Sequence, residues 1–167
     1  MHEGDVLRAV RRAAPDWSRY VDAMSDEPLT NALVELAQAT YLAMNVMERD
    51  EFTDQVFTDD FVFDDRRSGF SYGLLDASAY TELNRTAWDV GSSRPNWSIT
   101  EVIAVRGQRI AAVAIALDYD DDVHTESIIC GCLDRHLQLL RRMVQIDVDD
   151  RDAAIAEVDR MYAEIDD

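Results

Sequence analysis

The sequence contains no lysine; all 16 residues of its Lys+Arg count are arginine. That absence excludes Schiff-base chemistry on a lysine and the phosphate-cradling lysine of a P-loop. Positive charge as a whole is scarce, with 16 basic against 34 acidic residues for a net charge of −18. Such a surface repels phosphate backbones and anionic bilayers, so neither a nucleic acid nor a membrane is expected as a partner. No apolar run approaches the roughly 18 residues of a membrane span. The start, Met1-His2-Glu3-Gly4-Asp5, does not read as a signal peptide, which implies a cytoplasmic protein. Cysteine is limited to Cys130 and Cys132, two apart on one strand face, where disulfide geometry is rare, so both read as reduced core residues. Gly-x-Ser-x-Gly, P-loop and dinucleotide-binding patterns are all missing, which removes support for nucleophilic hydrolysis and nucleotide binding.

What is present fits one soluble domain. The 167 residues are 47% hydrophobic and 30% charged, enough for one substantial core. Residues 1–27 read as an N-terminal extension and 28–167 as the domain. A helix is predicted over about 28–48, capped by Ser25 or Asp26 with Pro28 in its first turn, because Leu29, Leu33, Leu36, Met44 and Met47 recur at helical spacing. A short helix over about 51–57 follows, then a strand at 61–65 and a loop holding Gly69 and Gly73. Asp76 caps a helix over about 77–90, which Gly91 ends. Strands are predicted at 97–106 and 109–118, joined by a type II′ turn at Gly107, and then at 123–133 and 139–147. The strand around Ala112–Leu117 is apolar on both faces and must be covered on both. Asp149 or Asp150 caps a closing helix that turns Ile155, Val158, Met161, Tyr162 and Ile165 inward. The fold class is α+β, a curved antiparallel sheet wrapped over helices.

The stretch from Phe57 to Arg67 carries the chemistry. Its alternation puts Phe61, Phe63, Asp65 and Arg67 on one face and Val62, Asp64 and Arg66 on the other. A carboxylate drawn inward by an aromatic face is desolvated, which suits it to moving protons. Asp65 is therefore a candidate general base; the alternative is a cap or an ion-pair partner of Arg66 or Arg67. Pairing with Arg67 would lower its pKa and weaken the base reading. Arg67, Tyr41, Phe61 and Phe63 are candidate ligand contacts. Trp88 would either line a pocket mouth or staple its helix. Glu101 shares a face with Trp97, Ile99, Ile103 and Val105, and points into the pocket, into an interface or onto the rim. His124 and Glu126 look superficially like metal ligands, but a flat strand does not converge two thiolates with them, and no metal is expected.

The step Phe57-Thr58-Asp59-Asp60 into a strand, the helix after the glycine loop, and Ile146-Asp147-Val148-Asp149-Asp150 running into a terminal helix resemble the nuclear transport factor 2-like, or SnoaL-like, superfamily. Asp64-Asp65-Arg66-Arg67 and the stretch Glu101 to Gly107 are similar to actinobacterial members. The resemblance covers roughly residues 28–165. It implies a cone-shaped sheet closing on three helices around a pocket, and often a dimer. Asp65 falls where ketosteroid isomerase of that superfamily keeps its proton-shuttling Asp, and Tyr41 falls within one residue of its oxyanion-hole Tyr. The isomerase's second acid would fall near Ile129, where there is none. The acids of limonene epoxide hydrolase would fall in Val113–Ala116 and near Val144, which are apolar. Neither catalytic set is complete, so neither activity is carried over.

Two functional readings follow. One is an enzyme without cofactor that performs proton transfer, hydration or cyclisation on a compact apolar, polyketide-like or steroid-like molecule, with Asp65 as base. The other is a non-catalytic module that binds a ligand or a partner protein, anchored by Arg67 and Tyr41. A homodimer through the outer sheet face, with Ile99 or Ile103 contributing, would cover the second apolar face.

Overall fold

A computed structural model of the protein describes residues 29–89, 94–119 and 123–165. The expected caps Ser25 and Asp26, the N-terminal extension, Pro28, Val90, Gly91 and the Asp120-Asp121-Asp122 turn lie outside the described residues. The described elements are α1 (Ala32–Val46), β1 (Phe57–Asp65), β2 (Gly73–Leu75), α2 (Ala77–Ala87), β3 (Asn96–Arg106), β4 (Ile110–Tyr119), β5 (Val123–Leu133), β6 (Leu140–Asp147) and α3 (Arg151–Glu164). The architecture is α+β, as expected.

Helix α1 starts at Asn31, whose side chain accepts a hydrogen bond from the Val34 N–H at 3.0 Å. The same side chain donates to the carbonyls of Gly107 at 3.1 Å and Ile110 at 2.8 Å, so one buried amide caps the helix and ties it to the β3–β4 hairpin. Asp76 caps α2 and Asp150 caps α3, each accepting from the N–H three residues on.

The expected helix over 51–57 is two single 3-10 turns, Arg49–Glu51 and Asp54–Val56. Thr53 is extended between them (φ −130°, ψ 168°), and Phe57 already pairs with Leu140. Each piece is too short to propagate as an α-helix. The hairpin loop takes three residues, 107–109, because Arg106 pairs with Ile110. Gly107 supplies the positive φ of 53°, and the Arg109 guanidinium turns away to the Leu133 carbonyl.

The strands form one sheet in the order β2-β1-β6-β5-β4-β3. It is mixed rather than wholly antiparallel: β1 runs parallel to β6, with Phe63 opposite Met143 and Asp65 opposite Gln145. The register slips twice in β3, between Ile99 and Glu101 and between Val102 and Ala104. Such bulges bend a sheet and reset which side chains face which way. Trp97, Ile99, Val102 and Val105 therefore join the inner core, while Ile103 and Ala104 join the outer one.

The sheet buries an apolar core on each face. The inner core packs Phe61, Phe63, Val113, Ile129 and Met143 against α1 and α2. On the outer face Ile110, Ile128, Cys130, Val144 and Ile146 lie under α3. The second cover, for which a partner subunit was expected, is supplied over β3–β5 by the chain's own closing helix. Its buried stripe is Ala154, Glu157, Val158 and Met161, whereas Ile155 and Tyr162 are exposed. The rotation from the expected stripe follows from Glu157, which Arg66 and Arg142 draw inward.

Replacing Asn31 by Ala removes a cap worth about 1 kcal/mol and strips a donor from two carbonyls, for about 1–3 kcal/mol more. Urea denaturation is expected to show a loss of about 2–4 kcal/mol; a loss below about 1 kcal/mol would mean that the amide does not tie α1 to the hairpin.

Candidate functional site

A cavity of about 50 Å³ lies between α1, α2 and the inner face of the sheet, near the start of β4 and β6. Tyr41 and Met44 reach it from α1, Tyr80 and Asn84 from α2, and Val113, Ile129 and Met143 from the strands. Among the described residues no charged side chain lines it. Its polar groups are Thr40, Tyr41, Tyr80 and Asn84. Two of these are partly committed: the Thr40 hydroxyl donates to the Leu36 carbonyl at 2.8 Å, and the Asn84 amide N–H to the Tyr80 carbonyl at 2.9 Å.

The two tyrosines are held as neutral phenols. Burial, and then the neighbouring Tyr80, push the Tyr41 hydroxyl far above the ordinary tyrosine pKa. Burial also raises Tyr80, offset in part by the Asn84 side chain. A desolvated phenol keeps its proton and so offers a donor to any acceptor entering the cavity.

Of the residues singled out from sequence, only Tyr41 lines this cavity. Phe61 and Phe63 stand with Tyr80 as an aromatic wall beside the cavity, and Asp65, with Arg67 of the following loop, lies beyond it. Tyr80 packs on Phe63 at a ring distance of 4.4 Å and on Phe61 at 5.7 Å. Asp65 follows two residues further along the strand, opposite Gln145 rather than the cavity-lining Met143.

The Asp65 carboxylate is buried and fully subscribed. It accepts from Arg67 Nε at 2.9 Å and Nη2 at 2.7 Å, from the Arg67 backbone N–H at 3.2 Å and from the Tyr72 N–H at 3.0 Å. Burial alone pushes its pKa up, but the Arg67 side chain and the two backbone donors outweigh burial, and the net direction is down. Arg67 in turn lies over the Tyr72 ring, 5.9 Å from its centre. A carboxylate bound this way organises the loop after β1 and has no lone pair left for a substrate proton. Asp64 lies on the other side of the strand, where it takes Arg66 at 2.7 Å.

Trp88 staples the end of α2, with its ring 4.8 Å from Trp97 and 6.0 Å from Phe52. The bulges in β3 turn Glu101 to the outer side, where it is exposed and pairs with Arg151 at the start of α3 at 2.9 Å. His124 is exposed and sits between Asp118 and Glu126. Both cysteines are buried and unpaired. Among the described residues no group of three or more His, Cys, Asp or Glu is placed to hold a metal ion, and no helix is long and apolar enough to cross a membrane. Tyr80 and Asn84 were the residues that sequence reading passed over as site groups. Their signal is their i, i+4 spacing on the inner stripe of α2.

Solved structures share this fold. A protein of unknown function with a cystatin-like fold from Methylobium petroleophilum PM1 superposes with a TM-score of 0.54, at 18% identity over 68% of this chain and 74% of that one. The chain has the nuclear transport factor 2-like fold. Δ5-3-ketosteroid isomerase from a Mycobacterium species matches with a TM-score of 0.50, at 11% identity over 70% of this chain and 92% of that one. A computationally designed 17-OHP binder matches with a TM-score of 0.53, at 11% identity over 70% and 93%. No family model matches the sequence, and no curated protein matches it. One fold thus serves an isomerase and a designed binder, and the choice between them rests on this chain's own side chains.

The Asp65–Arg67 pair has a testable energetic signature. Asp65→Asn is expected to cost about 2–3 kcal/mol at pH 7, at the low end for a buried pair because Arg67 retains some contact with water. The folded-state pKa of Asp65 lies below its unfolded value, so the pair stabilises fully above about pH 4 and its contribution is lost as pH falls through the folded value. Urea titrations at pH 7 and pH 3 should show the gap between wild type and variant closing in acid. A gap independent of pH would refute the role assigned to the pair.

Proposed function

We propose that the protein is a binder of a compact, uncharged, largely apolar molecule, held in the cavity with its polar end at Tyr41, Tyr80 and Asn84. The observation that carries this reading is the wall chemistry: neutral hydrogen-bonding groups set in an apolar lining, with no charge among the described residues to neutralise an ion. Burying an unpaired charge there is costly, so carboxylates and amines are disfavoured as ligands. The volume of about 50 Å³ accommodates a few heavy atoms, well below the roughly 300–1,000 Å³ of sites for drug-sized ligands. Met44 and Met143 can yield to admit a single ring. A steroid- or polyketide-sized molecule requires the lining to part much further. No cofactor is needed for this reading.

Catalysis by Asp65 as base is the second reading, favoured by its place on the concave face of β1 with Phe61 and Phe63. It requires Asp65 to exchange Arg67 for a substrate and to pass the Phe63–Tyr80 wall. It also lacks a partner group across the reacting bond, since the cavity holds neutral donors and no second acid or base.

Cyclohexanone and cyclohexanecarboxylate serve as matched probes in calorimetry or ligand-detected NMR. The ketone is expected to bind and the carboxylate at pH 7 not to. Tyr41→Phe should weaken the ketone about fivefold, the ~1 kcal/mol of one neutral hydrogen bond, and Ala111→Leu should abolish binding by filling the cavity. Asp65→Asn should leave affinity within about twofold. Equal binding of the carboxylate would sink the neutral-ligand reading, while turnover of any bound ligand that Asp65→Asn removes would establish the catalytic one.

A further inference from the structure

The two faces of the sheet carry separate cores, and no side chain of α3 belongs to the inner one. Helix α3 follows β6 through a three-residue turn, 148–150. Its apolar hold is slight: Ala154, Val158 and Met161 are the hydrophobic side chains it buries on the outer face. Ala153 and Ile165 add partly buried apolar contact at its two ends, and the rest of the attachment is ionic. Glu157, buried, lies 3.0 Å from Arg66 and 3.8 Å from Arg142, and also pairs with Arg160 of its own helix. Around it Arg106 pairs with Asp159 at 2.7 Å, Arg142 with Glu164 at 3.5 Å, and Glu101 with Arg151.

Half-exposed pairs of this kind contribute little each and weaken with salt. A buried carboxylate is different, because without its cations it cannot stay buried. The ionic hold of α3 is therefore concentrated at one residue. Nothing in the inner core or the cavity touches that residue, so losing it leaves the other half of the molecule its own packing.

We propose that α3 is an ion-latched cover, with Glu157 as the latch: the helix lifts off the outer sheet face as a unit while the inner core and its cavity stay folded. What it uncovers is an apolar sheet face, including Ile128, Val144 and Ile146. The molecule carries its own reporter on each side. Cys130 is buried directly beneath α3, its Sγ 3.6 Å from the Ala154 carbonyl. Trp88, Trp97, Phe63 and Tyr80 belong to or pack against the inner core.

Native-state alkylation of Cys130, mapped by mass spectrometry at urea concentrations below the unfolding transition, reads the outer face. Near-ultraviolet circular dichroism of the aromatic cluster reads the inner one. In wild type the alkylation rate is expected to rise with urea far less steeply than global unfolding predicts, because lifting one helix exposes little surface. Glu157→Gln should raise the rate without urea by about tenfold or more while that shallow slope and the near-ultraviolet signal persist. Arg66→Gln, a half-exposed position that tolerates change, should raise it about threefold and carries the test if Glu157→Gln does not fold. Arg94→Gln, which loses the pair with Glu48 and the hydrogen bonds to the Met47 and Asn45 carbonyls but nothing at α3, should leave the rate unchanged. A slope equal to that of global unfolding in wild type and in both latch variants overturns the proposal, as does an unchanged rate in Arg66→Gln and Glu157→Gln alike.

Discussion

Strand β4 has no polar face to give to water. Ala111 and Val113 turn to the inner core and Ala112 to the outer one, and all three are buried. A sheet built around such a strand must be covered twice, and each of the helices can be understood as part of one cover or the other. The inner cover is made of α1 and α2, long enough to enclose aromatic rings and to leave a cavity where the helices and the bent sheet do not close completely. Among the described residues the outer cover is one helix, α3. The chain thus satisfies within itself a requirement that would otherwise call for a second subunit over that region.

The two covers use different forces. The inner one is held by rings and aliphatic side chains, with Tyr80 touching Phe57, Phe61 and Phe63 at once. The outer one combines a thin apolar stripe with a ring of carboxylates and guanidiniums. An excess of acid makes this workable: among the described residues most arginines meet an acid wherever the fold brings them, and charge is consumed in pairs rather than left in the cavity. The Asp65–Arg67 pair is the inner example. It holds the loop after β1 through two backbone N–H groups and a guanidinium, at the expense of the carboxylate's availability for chemistry.

The consequence for function is one of division. Charged groups sit at the far end of β1 and around α3, and neutral hydrogen-bonding groups sit at the cavity. A phenol whose pKa burial has raised remains a donor but not a base, and a carboxylate saturated by an arginine remains a structural anion. Both facts support the proposed reading, recognition by shape and neutral polar contacts rather than proton transfer.

Much of this was determined by local sequence. The caps at Asp76 and Asp150, the inward turn of Phe61, Phe63 and Asp65, the double-sided burial of β4 and the reduced state of the cysteines follow from periodicity and short-range chemistry, which a chain carries in any context. Other features depended on which segments meet. The parallel pairing of β1 with β6 joins residues about eighty positions apart, and no local pattern encodes it. The bulges in β3 broke the alternation that had placed Glu101 beside Trp97, and sent it outward to Arg151. Glu157 turned inward because the fold sets Arg66, from the loop after β1, beside Arg142 of β6. Tyr80 and Asn84 became cavity groups only once α2 was set against β1. Asp65 was legible as an inward carboxylate, but whether it would meet a substrate or an arginine was decided by the fold of the loop that follows it.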